Sequence, residues 1–252
     1  MDRRMRRFAP LILLALASPA FSGEHLARLT PALLGGTAIA SAGSPSYLFA
    51  DDFENGNTQW TKSQGTANGN FAYATAPAPL AGSYSLLLDE SLGNVLLYRN
   101  TTNWQAVEKT YAYAQVNIGA IGNVSTTTTR YVLVFRDASN NDICSTGLRS
   151  NGDEIRWAVT ASGASALTTI VPATATTYHV WLEYVEGSGD GSCSVFVATT
   201  GTKPGSASAA RTGLNLTTDA VRIGVAAFYN EVDAVIFDKV RVDNESIGSD
   251  PS

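Results

Sequence analysis

Residues 176–199, TTYHVWLEYVEGSGDGSCSVFVAT, decide the fold. Two β-rich runs flank a segment of glycine, serine and aspartate, residue types that occupy turns because they accept positive φ or hydrogen-bond their own backbone. Alternation is strict where a helical period is absent. Tyr178, Val180, Leu182 and Tyr184 fall on one side of an extended chain, and His179, Trp181 and Glu183 on the other. The first set reads as core, so the stretch reads as a hairpin in an antiparallel sheet with one buried face.

The same texture continues on both sides. SYSLLLDE (83–90), NVLLYRN (94–100), TYAYAQVNI (110–118), RYVLVFRD (130–137), DEIRWAV (153–159), AVRIGVAAFY (220–229) and AVIFDKVRV (234–242) are short strand-like runs. DASNND (137–142) and SNGD (150–153) punctuate them as turns. Many short strands with no long helical segment predict an all-β fold, two antiparallel sheets packed as a sandwich.

The N-terminal region has a different character. Arg3, Arg4, Arg6 and Arg7 precede an apolar run over 8–16 and small residues at Ser18 and Ala20, which reads as a signal peptide over 1–20. That run is too short to span a bilayer. Residues 21–46, rich in Ala, Ser, Gly and Pro, read as a low-complexity linker. The sandwich is expected over 47–245 and a polar tail over 246–252. Export to an extracellular or periplasmic space follows from the leader. Losing residues 1–20, with four Arg and one Asp, takes the formal charge from −5 to −8. Nucleic acid is therefore excluded as a partner.

Cys144 and Cys193 lie in strand-like segments 49 residues apart and are expected to form a disulfide in an oxidising compartment. Closing that loop stabilises the fold by about 4 kcal/mol in the chain-entropy model. Two thiols and His179, with only His25 beside the leader, are too few ligands for zinc.

LFADDFENGNTQW (48–60), GSYSLLL (82–88), the hairpin over 176–199 and FDKVRVDN (237–244) together resemble the concanavalin A-like lectin and glucanase superfamily, in particular its laminin G-like bacterial jelly rolls. The resemblance implies a jelly-roll sandwich. It leaves function open among sugar-binding lectins, glycosidases, polysaccharide lyases and adhesion modules.

The residues narrow that choice. A retaining glycosidase needs two carboxylates about 5–5.5 Å apart. In EVDAVI, Glu231 and Asp233 match the start of the glucanase pattern, but Val235 and Ile236 stand where its second Glu belongs. A lyase needs a Tyr or His base beside cations, and His179 is the histidine available in the domain. TYAYAQVNI offers more. Ala112, Ala114, Val116 and Ile118 make one apolar face, while Tyr111, Tyr113, Gln115 and Asn117 make an aromatic and amide face suited to a pyranose ring.

Tyr111, Tyr113, Gln115, His179, Trp181 and Glu183, with Arg136, Arg156 and Arg222 decorating the same sheet, form the expected ligand face, and the arginines would suit an acidic glycan. Asp52, Glu54 and Asp238 are the expected oxygen ligands of a structural calcium ion. The chain thus reads as a secreted, non-catalytic carbohydrate-binding or adhesion module for a glycan or surface polymer. The alternatives are a polysaccharide lyase or glycoside hydrolase of the same fold, and a structural protein-interaction domain of an extracellular assembly.

Overall fold

Runs marked by alternation become strands in the computed structural model, which describes residues 47–251 except 57–58, 65–69, 75–78, 90–95 and 102. The expected signal peptide and linker lie outside the described residues. In chain order the strands are β1 (Phe49–Asp51), β2 (Trp60–Gln64), β3 (Asn70–Ala74), β4 (Ser85–Asp89) and β5 (Leu96–Asn100). They continue with β6 (Lys109–Ile121), β7 (Arg130–Arg136), β8 (Asp142–Ser150), β9 (Ile155–Ala161) and β10 (Ala164–Leu167). The last are β11 (Thr177–Val185), β12 (Gly187–Ala198), β13 (Ala209–Leu216), β14 (Arg222–Ala227) and β15 (Val232–Asp243).

These strands form two sheets. Sheet A runs β13-β12-β11-β6-β15-β4-β3, with β1 also on β15, and sheet B runs β10-β9-β8-β7-β14-β5-β2. All pairings are antiparallel. β15 shifts register against β6 between Asp238 and Arg241, with Lys239 at φ 47°, and its other edge is shared by two partners. Val235–Phe237 pair with β4, and Val240–Val242 pair with β1, Phe49 opposite Val242 and Asp51 opposite Val240.

Period-2 patterning builds the core. Ala112, Ala114, Val116 and Ile118 of β6 and Tyr178, Val180, Leu182 and Tyr184 of β11 face inward, against Leu133, Phe135, Trp157, Val159, Ile223 and Val225 of sheet B. The Cys144–Cys193 disulfide links β8 to β12 and so joins the two sheets. At the entry, Asp51 is buried, accepting hydrogen bonds from the Phe53 amide at 2.7 Å and the Trp60 indole N–H at 2.6 Å. This pins the opening strand to its late tryptophan.

One turn is more than a turn. Within EGSGDGS, Gly187–Gly191 already pair with β13, Gly187 opposite Leu216 and Gly191 opposite Leu214. A Cβ on Gly187 would sit 2.6 Å from the Gly191 backbone nitrogen, so the fold-back favours glycine here. Among the described residues no helix is long and apolar enough to cross a membrane.

Candidate functional site

The outer face of sheet A gathers six of the expected ligand residues. Register places His179 opposite Gln115, Trp181 opposite Tyr113 and Glu183 opposite Tyr111. The chain itself lies over this face. Tyr113 and Trp181 are 0% and 1% exposed, packed with Ile247 from the segment after β15. The Trp181 indole N–H donates to Gly248 O at 2.7 Å, and Gln115 Nε2 donates to Asp250 Oδ2 at 3.2 Å.

Lys203 fastens the same segment. Its Nζ lies 2.6 Å from Glu183 Oε1, donates to Ser246 Oγ and to Ile247 O, and sits 4.7 Å from the Phe196 ring centre. Lys239 reaches Asp250 Oδ1 at 3.3 Å. The stretch expected to be a polar tail is thus a strap, and its apolar anchor is Ile247. Beneath it Tyr113 Oη and His179 Nδ1 are 2.8 Å apart. Burial holds the Tyr113 phenol above, and the His179 imidazole below, their ordinary ranges.

The three arginines are elsewhere, which corrects the expectation of a shared face. Arg136 in β7, Arg156 in β9 and Arg222 in β14 all belong to sheet B. Strand parity carries them to the outer side. Val134, Ala226, Phe228 and Tyr131 cluster apart from the core, and Arg136 and Arg222 lie opposite each other two residues along from this set. Arg156 pairs with its near neighbour Glu154 at 2.7 Å, on the surface.

That outer side carries a cleft of about 250 Å³, lined by Thr127, Thr128, Thr129, Tyr131, Asp142, Ser145, Thr160, Ser162 and Ser165 among others. Thr160 Oγ1 lies 2.7 Å from both Thr129 Oγ1 and Ser165 Oγ, so hydroxyls converge on its floor. Tyr131 stands edge-on to Phe228, centroids 5.4 Å apart, and Asp142 is held by Arg136 at 2.8 Å. Burial and the neighbouring Asp142 push the Tyr131 phenol well above its ordinary range.

No family model and no curated protein sequence matches the chain. Solved structures do match. The carbohydrate recognition domain of Emp47p is 13% identical, with 81% of this chain and 98% of that chain covered, at a TM-score of 0.50. The exoplasmic/lumenal domain of VIP36 in its metal-free form is 10% identical, with 82% and 93% covered, at a TM-score of 0.50. The fold is the concanavalin A-like jelly roll.

The expected calcium ligands of this jelly roll have other partners. Asp238, 1% exposed, accepts from Ser85 Oγ and the Ala81 amide, both at 2.8 Å, and from the Lys239 amide at 2.7 Å. Glu54 Oε1 accepts from the Ser83 and Tyr84 amides at 2.7 and 3.0 Å, and Asp52 Oδ1 from the Glu54 amide at 3.3 Å. Asp238 and Glu54 brace the loop before β4, and Asp52 caps its own turn after β1. Among the described residues no group of three or more His, Cys, Asp or Glu is arranged to hold a metal ion.

The two carboxylates of the glucanase-like stretch also have partners within the fold. Glu231 accepts from Arg130 at 3.0 Å, above the Phe228 ring, and Asp233 Oδ1 accepts from the Ala234 amide at 2.6 Å. Sequence reasoning missed Tyr131, Asp142, Thr129, Thr160 and Ser165. Alternation in RYVLVFRD hinted at the outward side of β7, but the hydroxyl cluster needs residues from three separate segments.

Proposed function

We propose that this is an exported, non-catalytic glycan-binding module that receives a polysaccharide across the outer face of sheet B. The observation that carries the reading is the hydroxyl-lined cleft beside Tyr131, Asp142 and Arg136. Sugar sites pair an aromatic ring with a few fixed polar groups that match hydroxyls, and those types converge here. The aromatic face of sheet A is engaged by the chain's own strap, which leaves sheet B as the surface for a polymer.

Two features favour binding without cleavage. Among the described residues Asp142 is the one carboxylate lining the cleft, and it is tied to Arg136, whereas most glycoside hydrolysis uses a pair. Burial raises the phenol of Tyr131, the tyrosine that lines the cleft, and so disfavours the phenolate a lyase base would need. The disulfide supports export to an oxidising compartment.

The test is retention of the purified protein on a panel of insoluble neutral and acidic polysaccharides, with soluble products assayed in parallel. Retention without products supports the module, and Tyr131→Phe, which keeps the packing on Phe228, weakens it several-fold. New reducing ends or unsaturated uronates would overturn the non-catalytic assignment. Absence of retention on every polymer would overturn glycan binding.

A further inference from the structure

At the edge of the cleft, beyond the Arg136–Asp142 pair, two more guanidinium groups meet. Arg99 in β5 lies opposite Gly224, and Arg222, two residues earlier in β14, lies opposite Arg136. Both reach the hairpin between β7 and β8. Asn140 Oδ1 accepts from Arg99 Nη1 at 2.8 Å and from Arg222 Nη1 at 3.0 Å, and Arg222 Nε donates to Asn103. Two cations thus share one neutral oxygen. Among the described residues neither is paired with a carboxylate, and the Arg99 Nε is buried without a hydrogen-bond partner.

Like charges are not gathered cheaply. Burial, then Arg222 and Arg136, press the Arg99 guanidinium below its ordinary range. The hairpin that brings the acceptor is firmly built. Asp137 accepts from the Asn141 amide at 2.8 Å, the Asn140 amide donates to Asp137 O at 3.0 Å, and Asn140 sits at φ 67°. Asn140 offers the two cations a neutral acceptor, and an oxyanion beside it would add stronger, charge-assisted bonds; guanidinium forks suit carboxylate and sulfate alike. The chain as a whole is acidic, at −5. At physiological salt its distant charges are screened beyond about 8 Å, so this cluster acts locally.

We propose that Arg99 and Arg222, backed by Arg136, bind an oxyanion substituent, a uronate carboxylate or a sulfate ester, on the polysaccharide lying in the adjacent cleft. This rests on the glycan-binding reading and names the class of polymer.

The experiment compares one neutral polysaccharide with its carboxylated and sulfated derivatives, using the full chain and the double variant Arg99→Gln/Arg222→Gln. The expected result is retention at least about tenfold stronger on a charged derivative than on the neutral parent, falling to the parent's level in the double variant. The two derivatives show which oxyanion is preferred. Equal retention of the wild type on all three polymers overturns this proposal and leaves the glycan reading standing.

No retention on any of them overturns the glycan reading, and a thermal-shift arm then decides the anion site alone. Sodium sulfate is compared with sodium chloride at matched ionic strength. A larger sulfate stabilisation of the wild type than of the double variant supports the site, and equal shifts overturn it. The single variant Arg222→Lys, which keeps the charge, separates loss of the fork from loss of fold.

Discussion

The Trp181 indole N–H and the Gly248 carbonyl lie 2.7 Å apart, and through this contact the end of the chain closes over the centre of sheet A. A chain cut after Asn244 would lose Ile247, this bond and the contacts of Lys203 and Asp250. Exposing much of two aromatic rings and several polar partners costs about 2–4 kcal/mol. The truncated protein should show red-shifted tryptophan emission and a lower urea midpoint. Unchanged emission would mean that Trp181 is covered by something else.

His179 gives the strap a pH dependence. Burial holds its imidazole below the ordinary 6.5, with Asp250 opposing and Lys239 adding to the effect. The unfolded chain then binds the proton more readily than the fold. The contribution is intact above the unfolded value and is lost as pH falls through it toward the folded one. Urea midpoints measured from about pH 8 to 5 should therefore decline on the acid side. The decline should be shallower in His179→Gln, and an identical slope would assign it to other groups.

How legible was this in the sequence? The inward set Tyr178, Val180, Leu182 and Tyr184 could be read because alternation is a property of neighbours, and the core confirms it. The partner of Trp181 could not, since it lies 67 residues away and depends on one isoleucine in a polar stretch. The arginines show the same limit. Parity along one strand places Arg136 and Arg222 on a face, but strand order alone decides which sheet that face belongs to. Asn140 reads as a turn residue, and its two arginine partners, 41 and 82 residues distant, emerge only with the register.

The disulfide should be worth about 4 kcal/mol, because it closes a 49-residue loop in the unfolded chain. The double substitution Cys144→Ala/Cys193→Ala should lower the unfolding free energy by about that amount while leaving glycan retention intact at low temperature. A loss of retention in a variant that still unfolds cooperatively would tie the bridge to the binding face.

Gly82 and Glu54 test the loop before β4. Gly82 sits at φ 59°, and a Cβ there would lie 2.2 Å from Glu54 Oε1. Gly82→Ala should cost about 1–3 kcal/mol, from backbone strain and from displacing the carboxylate that holds the Ser83 and Tyr84 amides. The carboxylates here are already matched to N–H and O–H donors, so EDTA should leave the melting temperature unchanged. A fall restored by added Ca²⁺ would place an ion in this loop after all.

The antiparallel pairing of β1 with β15 has a mechanical consequence. Phe49 opposes Val242 and Asp51 opposes Val240, so the outer ends of the two strands are neighbours. Tension drawn along the backbone enters and leaves at one end of this short ladder. Its rungs must give way in succession, as in a zipper, rather than resist together in shear. The span between Cys144 and Cys193 cannot be drawn out at all while the bridge holds. Under load the β1–β15 seam would open once the strap is peeled away, while β9, β10 and β11, which lie between the two cysteines, would be shielded from the pull.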